Sequence, residues 1–359
     1  MVADISNNLK FFLYDVKDIT LTEVADYAEV HVSLATAGEI LTETFYPDEA
    51  GSVTLRDLPS LLRPYFALPE LDSVADSVRC NPLQVTLRAV DSNGSLTLYL
   101  NACYSRMPLD MIVPDGYILS RYKEVLTAEG REEFFPFAAG SGMGLQIGVA
   151  YLDGGAARYV QKQVSTAGMA GFMAYRVSAQ RVASLAGVQA DAVLYYLVTL
   201  TNAEGVADRV KYVVDRRARR RQTTFLYLNN FGVPETLTLL GLETEEPELE
   251  GETARMLDRE RCINPDLVQG RTVNSGYMQP DKYESLKDML TSPDIRLLED
   301  GRNIPVVITG IDFAHQHIGN ERISVSLSFR PAVSPYGKFS RTNPLKGRIF
   351  DQTFDYTFD

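Results

Sequence analysis

The chain has 359 residues, of which 45% are hydrophobic and 23% charged, with a formal net charge of −12 and a mean hydropathy of −0.11. These values exclude a disordered chain and leave room for two or three cores, because a single core stops growing near about 250–300 residues. An acidic average surface argues against non-specific binding of nucleic acid by the whole molecule, and no apolar run reaches the ~18 residues of a membrane-crossing helix.

The start, MVADISNNLKFFLYDV, lacks a basic beginning, a long apolar stretch and a small-residue cleavage site, so no secretory signal is expected there. There are 19 Tyr and 16 Phe but no Trp, and aromatics at this level beside many Val and Thr favour strands. The first hundred residues read as β. In AEVHVSL, Val30, Val32 and Leu34 alternate with Glu29, His31 and Ser33, the period of a half-buried strand. PDEAG is a turn, and DLPSLL reads as a short helix with Asp57 as its cap and Leu58, Leu61 and Leu62 on one face. LQVTLRAVDSNGSLTLYLNACY reads as a hairpin in which Asn93-Gly94 supplies the positive φ of a tight turn.

RMPLDMIVPDG, punctuated by proline, marks a boundary near residue 108. Strands then recur at roughly 10–15 residue spacing, as in a sandwich, with a short helix expected over Ser178–Leu185. From Thr223 the texture changes. TTFLYLNNFG and ETLTLLGLE read as strands, and ETEEPELEGE as an acidic exposed loop. QPDKYESLKDMLTSP reads as a helix with Tyr283, Leu286, Met289 and Leu290 on one side. DIRLLEDG, IPVVITGIDF and RISVSLSFRP are strands, and the remaining tail is polar, aromatic and without regular pattern. The expected class is mainly β: two β-sandwich-like domains, 1–108 and 109–240, then an α+β region, 241–359, with one clear helix and an extended polar tail.

Few segments carry chemistry. Cys80, Cys103 and Cys262 have no zinc-like spacing and read as buried free thiols; a Cys80–Cys103 bridge requires their strands to pair. AAGSGMG lacks the Lys-Ser/Thr of a phosphate loop and leads into strand-like LQIGVAYL, so it reads as a loop or bulge entering a strand. Asp312, His315 and His317 are near neighbours; alternate histidines on a strand share a face and could share a metal, while the plainer reading is a polar turn. No HExxH, GxSxG or serine–lysine signature occurs. No catalytic residue and no cofactor are assigned.

DRRARRRQ places Arg216, Arg217, Arg219, Arg220 and Arg221 between two strands. One reading is a solvated turn. A second is a protein interface, in which guanidinium forks meet the carboxylates of Glu245, Glu246 and Glu248 in the acidic segment of the same or a neighbouring copy. Nucleic acid is the weakest, since no binding motif accompanies the run.

TFLYLNNFGVPETLTLLG, the segment NSGYMQPDKYESLKDMLTSPDIRLLEDGRNIPVVITGIDF and ETFYPDEAGSVTLRDLPSLLRPYF together resemble a group of gut-bacterial, prophage-type structural proteins. The resemblance implies a non-enzymatic virion- or tail-associated component that meets protein partners or its own copies, produced in the cytoplasm and carried in a virion. It supplies no catalytic residue. Two other classes stand beside it. One is a carbohydrate-binding or adhesin-like sandwich, with Tyr195, Tyr196 and Tyr227 stacking on sugar rings, weakened by the lack of Trp. The other is a hydrolase built on Asp312, His315 and His317 or on paired carboxylates.

Overall fold

A computed structural model describes residues 1–332 other than 73–74, 112, 114–115, 121, 167, 206, 217–221, 257–258, 279, 300 and 317–321, with the backbone alone at 248–256, 259–267, 314–316 and 322. The protein is mainly β, with several sheets and three short α-helices among the described residues. It divides into two compact units. The first comprises Met1–Arg220, Phe225–Leu237 and Pro280–Asp294; the second comprises Arg221–Thr224, Thr238–Gln279 and Ile295–Asp359.

The first unit opens with a five-stranded sheet in the order Lys10–Phe12, Gly94–Cys103, Leu83–Asp91, Ala28–Leu34, Gly38–Phe45. All neighbours are antiparallel except Lys10–Phe12, which runs parallel to Gly94–Cys103. The alternation in AEVHVSL is realised: Val30, Val32 and Leu34 are buried, and His31 turns outward to Glu39 and Thr42. The hairpin of 83–103 is present, but its turn differs from the sequence reading. Asp91 pairs with Gly94, so Ser92 and Asn93 form the loop, and neither has positive φ. The Asp91 carboxylate holds the turn by accepting from the N–H groups of Asn93 and Gly94, each at 2.8 Å. A side chain that mimics a backbone turn replaces the left-handed residue that Asn-Gly suggested.

A second pair of sheets forms a sandwich. One has the order Tyr117–Ile118, Glu133–Ala139, Gly171–Val177, Ser77–Cys80; the other Glu124–Thr127, Ala207–Val214, Val193–Thr201, Gly144–Asp153, Ala156–Val164. Their inner faces share one core that includes Phe135, Phe137, Leu145, Ile147, Met173, Tyr196, Val198 and Tyr212. The helix Ala179–Ala186 closes one end with Val182 and Ala183 buried. Its limits follow from chemistry: the Ser178 side chain accepts from Arg181 N, and Gly187 stops the helix in the left-handed region at φ 74°. The helix Leu58–Leu62 also forms, with Leu58 and Leu62 buried. Asp57 does not cap it; that residue is itself left-handed (φ 56°) and its side chain makes no cap bond. The helix Pro280–Leu290 forms as the spacing requires, with Leu286 and Met289 fully buried.

In the second unit, Ile295–Glu299, Arg302–Gln316, Arg322–Pro331, Arg259–Asn274 and Glu243–Met256 lie side by side in that order. The acidic segment expected as a loop is therefore a strand. Glu243–Met256 pairs with Arg259–Asn274 from Glu243↔Val273 to Met256↔Arg259, with one irregularity at Glu250/Glu252. Glu and Pro have poor strand propensity, but a partner strand overrides it. Gly241 is required by close approach: a Cβ there would sit 2.1 Å from the carbonyl oxygen of Asn274.

Candidate functional site

The NNFG motif builds a closed turn. Asn229 Oδ1 accepts from the N–H of Phe231 (3.0 Å) and of Val233 (3.3 Å), and Asn229 Nδ2 donates to Glu235 Oε2 at 3.1 Å. Gly232 sits at φ 73°, and a Cβ would meet Tyr104 Cδ1 at 2.8 Å and Leu68 Cδ2 at 2.9 Å. Phe231 packs against Phe12 and Phe172, with ring centroids 5.7 and 5.4 Å away. Asn230 ties the turn to a buried ion pair: its N–H donates to Asp288 Oδ2 at 3.0 Å, and its Oδ1 accepts from Arg106 N at 2.8 Å. Arg106 Nη2 bonds the Asp288 carboxylate and, at 2.9 Å, the Asp288 carbonyl oxygen. Both side chains are nearly buried, at 6% and 9% exposure. This motif is structural; it fastens helix Pro280–Leu290.

A second buried polar group joins the sandwich strand Glu133–Ala139 to the strand Pro234–Leu239. Glu133 Oε2 accepts from Thr236 Oγ1 at 2.5 Å, and the Thr236 carbonyl accepts from Tyr122 OH at 2.7 Å. Glu133 Oε1, Thr127 Oγ1 and Tyr196 OH are buried together, and the Thr127 hydroxyl lies close enough to Glu133 to favour its charged form. Burial raises the Glu133 pKa, and the opposing pull of Arg131, Thr236, Thr127 and Lys282 does not cancel it.

The sequence-derived candidates are dispersed. Arg216 is exposed and donates from Nη2 to the carbonyl of Val193 at 2.8 Å; Arg217, Arg219, Arg220 and Arg221 lie outside the described residues. Glu245 and Glu246 are exposed on Glu243–Met256, where Glu246 Oε2 accepts from Thr272 Oγ1 at 3.2 Å. Glu248 is on the same strand, its side chain outside the described structure. Glu243, on the same strand, is held from two sides. It joins Arg271, whose guanidinium grips Glu299 with two bonds of 2.8 and 3.2 Å, and it accepts from Thr223 Oγ1 at 2.6 Å. Asp312 is exposed on Arg302–Gln316, which also carries His315; His317 lies outside the described residues. No group of metal-binding side chains occurs among the described residues.

AAGSGMG connects strand Glu133–Ala139 to strand Gly144–Asp153, with Gly142 at φ 69°. Strand follows strand there, unlike the strand-to-helix step of a dinucleotide loop. Tyr196 and Tyr227 are fully buried and offer no ring face to a sugar, which corrects that assignment; Tyr195 is partly buried with Lys211 Nζ 5.3 Å from its ring centroid. Cys80 and Cys103 are both buried and free; their strands belong to different sheets, so the condition for a bridge is not met. Burial, and then the neighbouring Cys103, push the Cys80 thiol up to about 12.

No family model matches the chain, and no curated protein does. Among solved structures, it is similar to a chain from the tail of an empty gene transfer agent particle, at 17% identity over 28% of this chain and 83% of that one, TM-score 0.21. A chain of the native gene transfer agent virion gives 16% identity over 31% and 91%, TM-score 0.22. A titin I-band fragment gives 10% over 93% and 89%, TM-score 0.19. Scores this low carry no argument about function. No helix among the described residues is long and apolar enough to cross a membrane.

Proposed function

We propose that the chain is a non-enzymatic structural protein, a phage-derived virion- or tail-associated component that works by assembling with copies of itself. The observation that carries this reading is the ribbon Glu243–Met256/Arg259–Asn274. Strands of 14 and 16 residues span roughly 45–55 Å at about 3.4 Å per residue. Yet Arg322–Pro331 pairs with Arg259–Asn274 only over Arg271–Asn274. Toward its tip the ribbon has no third strand among the described residues. A two-stranded ribbon is marginal in water and gains stability when a further surface covers it.

The ribbon's chemistry fits a basic partner surface. Glu246, Glu248 and Glu250 occupy alternate positions along the strand. The arginine run Arg216–Arg221 supplies the complementary charge, and a head-to-tail contact between copies joins the two. The test is charge reversal of Arg219 and Arg220 to Glu. The expected result is a salt-sensitive oligomer in the parent protein that dissociates in the variant. Unchanged self-association at low and high salt would count against the charged contact.

A further inference from the structure

The second unit has two exposed strand edges of opposite character. Glu243–Met256, last in its order, carries Glu243, Glu245, Glu246, Glu248, Glu250 and Glu252 together with Pro247. Charges and proline on an edge discourage pairing with a stray strand. Arg302–Gln316 is built differently. Its register with Ile295–Glu299 runs only from Arg296↔Pro305 to Glu299↔Arg302. On its other side it pairs with Arg322–Pro331 from Val306 to Gln316. The far side of Arg322–Pro331 is taken in turn by Arg271–Asn274 and by the bonds of Ser275 and Met278. From Val307 onward, therefore, the outer edge of Arg302–Gln316 meets no strand among the described residues. Between Asn303 and Ile311 that edge holds no charged residue.

The apolar face of the sheet continues out to this edge. Ile311 pairs with Leu327 and Phe313 with Val325; both inner partners are buried, whereas Ile311 and Phe313 are 38% and 42% exposed. Val307, on the other face, is 47% exposed. The first charge, Asp312, pairs with Ser326 and so stands opposite in facing to Ile311 and Phe313.

We propose that the edge Val307–Ile311 is a docking strand for the same strand of a second copy, the two running antiparallel and continuing the sheet across a two-fold axis. An uncharged strand edge is complementary to its own antiparallel copy in backbone hydrogen bonding. Two chains of net charge −12 approach each other with least repulsion where neither presents charge, and the acidic edge is closed to the same contact. The inference rests on the assembly reading above and adds a contact that salt does not weaken. A strand pair of this length falls short of the ~1,200 Å² that a stable interface buries, so on its own it gives weak, concentration-dependent pairing.

The experiment is sedimentation of the full chain at low salt and at about 1 M salt, where exposed charge pairs are screened within ~3 Å. It is run on the parent protein, on Ile311→Lys and on Val307→Lys, with amide exchange of 302–316 followed against protein concentration. The two substitutions sit on exposed positions of opposite faces, so a folding defect in one leaves the other decisive. The expected result is association that survives high salt, concentration-dependent protection of 307–311, and a dissociation constant raised at least about tenfold by either lysine. Association at high salt that ignores both lysines overturns the edge proposal and leaves the assembly reading standing. So does an oligomer that dissolves completely at high salt. A parent protein that is monomeric under all conditions overturns both.

Discussion

Replacing Glu133 with Gln tests whether the sandwich core holds a neutral carboxyl. The side chain is buried, at 2% exposure, with one oxygen bonded to Thr236 and the Thr127 hydroxyl beside the carboxyl. Burial penalises the charged form first, and Arg131, Thr236, Thr127 and Lys282 only partly offset it, so the folded-state pKa lies above the unfolded one. The folded state therefore binds the proton more tightly. Its contribution to stability is complete below the unfolded pKa and is lost as pH rises through the folded pKa. Within that window stability falls by about 1.4 kcal/mol per pH unit. Gln keeps the shape and removes the titration. Against it stands an amide N–H₂ that needs acceptors, an imperfection of about 1 kcal/mol. The net expectation is a variant that gains on the parent as pH rises through the folded-state pKa and gains nothing near pH 3, where the parent carboxyl is protonated in both states. Native-state amide exchange of peptides covering 133–139, read across pH, measures this locally without requiring the two units to unfold together. A variant less stable than the parent near pH 8 would refute the reasoning, because it would mean that Glu133 is ionised and favourably paired.

Three other expectations follow from the buried contacts. Arg106→Ala leaves the Asp288 carboxylate buried without its cation and is expected to cost about 3–5 kcal/mol, read as a lowered denaturant midpoint and faster exchange in helix Pro280–Leu290. Gly232→Ala forces a left-handed alanine against Tyr104 and Leu68 and should cost about 1–3 kcal/mol in thermal unfolding; a neutral result would contradict the close packing. Cys80, with its thiol pushed up to about 12 and its side chain buried, should resist iodoacetamide in the native protein near pH 8 and react fully once denatured.

Much of this fold was legible where a local rule and the tertiary structure agree. The alternation of Val30, Val32 and Leu34 gives a strand because one face of that sheet is buried, and Ser178 with Gly187 bounds a helix because cap chemistry is local. The misreadings share a cause. Glu245, Glu246 and Pro247 look like a loop because their propensities oppose a strand; only the pairing with Gln269, Gly270 and Arg271, more than twenty positions away, makes them one. Residue type makes Asp57 a cap and gives the hairpin turn to Asn93-Gly94, whereas the backbone at Asp57 and the carboxylate of Asp91 decide the outcome. Charged residues such as Arg106, Glu133 and Asp288 give no sequence sign of burial, since each meets partners brought in from distant segments. The candidate sites were chosen by charge and histidine spacing. Those signals mark exposed segments, and no group of metal-binding side chains occurs among the described residues.

The proposed role requires the chain to associate with its own copies. Light scattering of the purified full chain, across concentration at low and at high salt, tests it most directly. The account predicts an oligomer that grows with concentration, partly dissociated by salt where the arginine run meets the acidic ribbon and partly resistant where the uncharged strands meet. A mass equal to one chain at every concentration and salt would contradict it.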